Sequence, residues 1–261
     1  MLKARLYRRV AGSSKTTRWN SAYNLQVLWF RFIQKPNNLG ATLMSTTTPD
    51  TNIHTPYPDR LSVDNAAMLL IDHQQGFFGG IKSIDTTELR NNIIALGKLA
   101  KGLNLPTVLT SSFAQGINGS IIPELLELFP DLPVINRHLV NAWADPDYVE
   151  AVKATGRKKL IMSALTTDVC LVFPAIDAAK AGFEVYAVLD ASGAWSKRAE
   201  DACVLRMNNA GVIMTTWVSV AAELLHDHLG PYKQAVQGVF DEHLFGYSAE
   251  GKENGAVLQP D

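Results

Sequence analysis

Lys-Leu-Ile-Met-Ser-Ala-Leu-Thr-Thr-Asp-Val-Cys, residues 159–170, is the stretch on which the fold turns. Its first half, Lys159–Ala164, is short and mostly apolar, the pattern of a strand buried on both faces of a parallel sheet. Its second half supplies Thr167 and Asp168, either of which suits the start of a helix, and helical spacing then continues to Ala181, with Gly182 as the stop. A strand followed at once by a helix is half of a βαβ unit.

The same alternation repeats on both sides. Upstream, Ala67–Ile71 is an unbroken apolar run that ends at Asp72. Thr86–Gly102 carries Leu89, Ile93, Leu96, Leu99 and Ala100 at helical intervals. Pro106–Ser111 reads as a second strand, Pro123–Leu128 as a short helix, and Pro133–Asn136 as a brief third strand. Asp145–Thr155 is helical, with Pro146 in its first turn and Gly156 past its end. Downstream, strands are expected at Glu184–Leu189 and Gly211–Thr216, and helices at Lys197–Asn209 and Val218–His228. After Pro231 the chain reads as irregular, and beyond Tyr247 it is polar. Six strands alternating with helices predict a mostly parallel sheet covered on both faces. One domain, residues 58–230, holds all of it, between an N-terminal extension (1–57) and a C-terminal one (231–261).

The 261 residues carry a formal net charge of −1, which conceals a division. Residues 1–49 contain eight basic side chains and no acidic one, so the rest of the chain is distinctly acidic. An acidic body argues against a nucleic-acid partner. The basic, Ser/Thr-containing start has the composition of a mitochondrial transit peptide; a disordered extension and a true start at Met44 are the alternatives. The expected location is mitochondrial or cytoplasmic. The apolar run Leu25–Ile33 includes Arg31 and is far shorter than the ~20 residues that span a bilayer. No membrane association is expected. Two cysteines, Cys170 and Cys203, are too few for a disulfide framework.

In an open parallel sheet, ligands bind beyond the carboxyl ends of the strands. That rule selects Asp72 after the first strand, Ser111, Ser112 and Phe113 after the second, and Arg137 after the third. Thr166 to Cys170 follow the fourth strand, and Asp190, Ser192 and Trp195 the fifth. Asp72 is a candidate general base, or else a turn or cap residue. Cys170, at a helix start, is expected to gain thiolate character from exposed amides and the helix dipole, which could also hold an oxyanion. The alternative is an inert core thiol, the reading that suits Cys203 better. Arg137 offers a permanent positive charge that could pair with Asp72, or else is an ordinary surface cation. Phe77, Phe113, Trp143 and Trp195 are candidates to wall an apolar pocket, or else plain core or interface residues. Gly76, Gly79 and Gly80 do not form a phosphate loop, the histidines show no metal-ligand spacing, and no serine sits in a nucleophile elbow. No metal or cofactor is implied.

Ile71-Asp72-His73-Gln74 after an apolar strand, together with Ser163-Ala164-Leu165-Thr166-Thr167-Asp168-Val169-Cys170, resembles the isochorismatase-like cysteine hydrolases. Leu105–Phe113, Asn141-Ala142-Trp143, Asp190–Gly193 and Met214–Trp217 are most similar to the YcaC-type subgroup. The resemblance implies a three-layer α/β/α Rossmann-like fold whose six-stranded parallel sheet has the order 3-2-1-4-5-6. It also implies an Asp–Lys–Cys triad, with Asp72 and Cys170 on two positions and Arg137 on the lysine position. A cis peptide at Leu165–Thr166 and an oxyanion hole from the amides of Thr166 and Cys170 follow from the same resemblance. The absence of histidine between Ser111 and Arg137 departs from nicotinamidases, and Cys170 departs from members that cleave isochorismate.

The expected activity is hydrolysis of a small amide or related C–N substrate through a thioester on Cys170. The rivals are a catalytically inactive oligomeric binding module and a redox-responsive thiol protein. A homo-oligomer is expected by resemblance, with the apolar strip Trp217–Leu225 as its candidate interface.

Overall fold

A computed structural model describes residues 60–244. The basic segment read as a transit peptide or extension, residues 1–57, lies outside the described residues, as does the polar end beyond Tyr247. Six strands form one parallel sheet: β1 (Ala66–Ile71), β2 (Thr107–Ser112), β3 (Val134–Arg137), β4 (Lys159–Ala164), β5 (Glu184–Val188) and β6 (Ile213–Thr215), in the order β3-β2-β1-β4-β5-β6. The helices are α1 (Gln75–Phe78), α2 (Thr86–Gly102), α3 (Pro123–Leu128), α4 (Pro146–Ala154), α5 (Val172–Lys180), α6 (Lys197–Asn209), α7 (Trp217–Leu225) and α8 (Lys233–His243).

The apolar runs that announced β1 and β4 are explained by their place at the centre of the sheet. Every residue of both strands is buried, because helices cover both faces. Side chains alternate as the strand period of two requires. Met68 and Leu70 join the core beneath α2 and α7, while Ala67, Leu69 and Ile71 join the core on the opposite face, beneath α4 and α5. The strand ends are level, with Ile71 registered on both Thr110 and Ala164. The order of connection reverses between β1 and β4. A crevice opens at such a switch point.

Two expectations are corrected on the α7 side. The stretch after Pro231 holds a regular helix, α8, with Val236, Val239 and Phe240 buried on one face. Tertiary packing on α2 and α7 stabilises a segment whose composition gave weak local signals. The same helix disposes of the candidate interface. Trp217, Val220, Ala221, Leu224 and Leu225 are buried within this chain, and Phe240 packs 5.9 Å from the Trp217 ring. The apolar strip is a core face already covered.

Candidate active site

At the switch point, β1 ends in an abrupt turn. Asp72 has φ 56°, and its amide still donates to Thr110 O at 2.9 Å. This conformation turns the carboxylate toward the end of β3, where Arg137 donates from Nη1 to Oδ1 (2.9 Å) and from Nη2 to Oδ2 (2.6 Å). Both side chains are fully buried. The bidentate pairing suits a guanidinium better than an ammonium, since its planar fork matches the carboxylate.

Beyond β4 the chain makes a different device. The Leu165–Thr166 peptide is cis, as the resemblance implied. A wide turn, Thr167–Leu171, then precedes α5. Its Leu171 amide donates to Thr166 O at 3.0 Å, a π-type i→i−5 bond. The Thr167 amide donates to Gly193 O at 2.8 Å, tying the turn to the loop after β5. Cys170 is held so that its thiol hydrogen-bonds the Asp72 carboxylate and its sulfur receives the Thr166 N–H. Carboxylate, guanidinium and sulfur, far apart in the chain, therefore converge.

Burial pushes the Asp72 carboxyl up to about 6, against the pull of Arg137 and the hydrogen bonds from Cys170 and Ser112. The Cys170 thiol is pushed well above its ordinary value, first by burial and then by the neighbouring Asp72 carboxylate. This reverses the expectation of a thiolate favoured by the helix dipole. Cys170 sits inside a buried turn ahead of α5, and desolvation beside an anion outweighs the oriented amides. The resting site is a neutral thiol beside an ion pair.

Supporting residues complete the frame. Gln74 clamps the end of β2, accepting from the Ser112 amide (2.9 Å) and donating to Ser112 O (3.1 Å). His73 is fully buried, with Nε2 2.9 Å from Ser163 Oγ. That hydroxyl donates to Ala191 O, so Nε2 carries the proton. Burial lowers this imidazole to about 3 and keeps it neutral. Among the described residues, no three His, Cys, Asp or Glu side chains come together as a metal site.

A cavity of about 210 Å³ opens above the sulfur. Phe77, Phe113, Val140, Val169 and Trp195 form its apolar walls, while Ser112, Asn118, His138, Thr166 and Cys170 supply its polar surface. Three of the four expected aromatic walls are thus present. The fourth is corrected: Trp143 packs edge-on against Tyr148 and Phe183 at 6.3 and 5.5 Å, in the core of the α4 and α5 face. Its position in a turn just before α4 rotates it away from the strand ends. Cys203 is buried in the same core, as expected of an inert thiol. Asn118 and His138 were missed. His138 directly follows Arg137, so the strand-end rule already reached it; Asn118 lies six residues past β2 and left no such signal.

Comparison with known proteins agrees with this geometry. The Isochorismatase domain model matches residues 66–219. The chain is 43% identical over 192 residues to a protein named Probable hydrolase YcaC from Escherichia coli (strain K12), covering 72% of this chain and 90% of that one. The crystal structure of Escherichia coli YcaC, described as an octameric hydrolase of unknown specificity, superposes with a TM-score of 0.73 at 41% identity, covering 76% of this chain and 97% of that one. YcaC from Pseudomonas aeruginosa, solved with hexane-2,5-diol and covalent acrylamide, gives the same TM-score at 40% identity, covering 76% and 98%. Its fold, the convergence at its switch point and these matches together make the chain a member of the isochorismatase family, similar to YcaC.

Proposed function

We propose that the chain is a cysteine hydrolase that cleaves a small, uncharged amide or related C–N substrate, with Cys170 as nucleophile, Asp72 as general base and acid, and Arg137 as the fixed cation. The observation that carries this reading is the Asp72 carboxylate, which, buried behind the cavity wall, accepts from both the Cys170 thiol and the Arg137 guanidinium. Asp72 takes the proton from Cys170 as the sulfur attacks the carbonyl carbon. The carbonyl oxygen becomes an oxyanion held by the Thr166 and Cys170 amides. The C–N bond breaks, and the amine leaves with the proton from Asp72. Water then attacks the thioester, giving a proton to Asp72. The expelled sulfur recovers it as the acid departs.

Arg137 cannot lose a proton, so it takes no part in shuttling. Its role is to keep Asp72 ionised near neutral pH despite burial. Among the described residues, no Asp, Glu, Lys or Arg lines the cavity, which supports an uncharged substrate. Covalent acrylamide in the Pseudomonas aeruginosa relative supports a site that admits a small amide to a reactive side chain. The octameric state of the Escherichia coli relative supports a homo-oligomer here.

A screen of short-chain amides, carbamates and hydroxamates tests the assignment. Cys170→Ala is expected to abolish turnover while the far-ultraviolet circular dichroism stays unchanged, and mass spectrometry of the wild-type protein with a slow substrate is expected to find an acyl group on Cys170. Undiminished turnover in Cys170→Ala would reject the scheme.

A further inference from the structure

We propose that Gly80 and Gly116 are specificity-determining positions: each is the seat of one aromatic wall, and the missing Cβ at each sets the cavity width open to the substrate. The inference rests on the functional reading above and deepens it.

A Cβ built on Gly80 would lie 1.7 Å from Cζ3, 2.5 Å from Cε3 and 2.9 Å from Cη2 of Trp195. The six-membered ring of the indole therefore lies on the Gly80 backbone. A Cβ on Gly116 would lie 2.3 Å from both Cδ1 and Cε1 of Phe113. Both distances fall deep inside van der Waals contact. Neither glycine has positive φ, so the backbone at these positions does not itself require glycine. What glycine contributes there is room for a ring.

Each ring has a second aromatic neighbour. Trp195 meets Phe77 with centroids 6.3 Å apart at 62°, and Phe113 meets His138 at 6.3 Å and 56°. Trp195 is 44% exposed and Phe113 53% exposed, so general core packing does not fix them. Each is held between a glycine and one partner ring. The glycine run that makes no phosphate loop thus has a different use, as a seat for a pocket wall. A methyl group at either position must push its ring off the seat. The wall then moves, and bulky substrates are affected differently from small ones, as a change of one methylene in a pocket commonly shows.

The test uses the full-length chain and two probes, acrylamide and N-benzylacrylamide. Each adds its β-carbon to the Cys170 sulfur, and the thiol proton ends on the α-carbon. Second-order rate constants are read by peptide mass spectrometry, which separates Cys170 from Cys203. The ratio of the two rates is expected to change at least about fivefold in Gly80→Ala and in Gly116→Ala. In a Trp195→Ala background, Gly80→Ala is expected to leave the ratio within about twofold, because the methyl acts only through the indole. The same cycle with Phe113→Ala tests Gly116, so a folding failure in one series leaves the other to decide. An unchanged ratio in the single variants, or an equal change with and without the ring, overturns the inference alone. Failure of both probes to label wild-type Cys170 would instead defeat the functional reading, and this inference with it.

Discussion

Asp72→Asn separates the two jobs of the buried carboxylate. The substitution keeps the shape and removes one charge. Contacts of 2.9 and 2.6 Å put the two charge centres roughly 4 Å apart, where the attraction is about 4 kcal/mol at an effective dielectric of ~20. Because both side chains are fully buried, removing one leaves the other without a counter-charge, at a cost of about 3–5 kcal/mol. That is a large part of the ~5–15 kcal/mol that stabilises a typical domain. The variant should therefore unfold at clearly lower urea concentration, measured at fixed protein concentration. The double variant Asp72→Asn/Arg137→Met should recover most of the loss, since replacing a whole buried pair is often neutral. Turnover should fall by about 10²–10⁴-fold in both, because the proposed proton acceptor is gone. The thiol should respond in the opposite sense. The Asp72 carboxylate raises it, so in Asp72→Asn the pH midpoint of Cys170 alkylation should move down. A loss below about 1 kcal/mol, or a midpoint that moves up, would refute the sealed ion pair and the neutral-thiol resting state.

Two further outcomes follow from the same geometry and from α8. Since Asp72, as the proposed base, must be ionised to accept a proton and burial pushes its carboxyl up to about 6, kcat/KM should fall as pH drops through about 6; Arg137→Gln should shift that limb to higher pH, because the guanidinium opposes the rise. A limb near 4 in the wild-type protein would remove Asp72 from the proton path. Phe240→Ala should cost about 3–5 kcal/mol in urea unfolding, because this ring is 7% exposed and packs against Trp217; a loss under about 1 kcal/mol would mean that α8 is not part of the core.

The fold was legible because its signals are local and repeated. Strands such as Ala66–Ile71 are apolar throughout only when both faces are covered, and each is followed by helical spacing. The convergence of Asp72, Arg137 and Cys170 was legible because topology brings the ends of β1, β3 and β4 together, whatever the details of packing. What escaped depends on neighbours distant in the chain. The direction of the Cys170 shift is set by burial and by Asp72, nearly a hundred residues away along the chain, not by the amides beside it. Trp143 turns into the core by the rotation of one short turn. α8 carries Gly238 within it and is held by packing on α2 and α7, which no local pattern records.

The neutral sulfur at rest has a consequence for survival in a cell. Peroxide and disulfides react with thiolates far faster than with thiols. Because Asp72 pairs with both Nη groups of Arg137, the pull of the guanidinium toward a thiolate on Cys170 is outweighed by burial and by the carboxylate. A thiol held this way is expected to resist conversion to a sulfenate, and on the proposed mechanism its reactivity is kept for a molecule that fills the cavity.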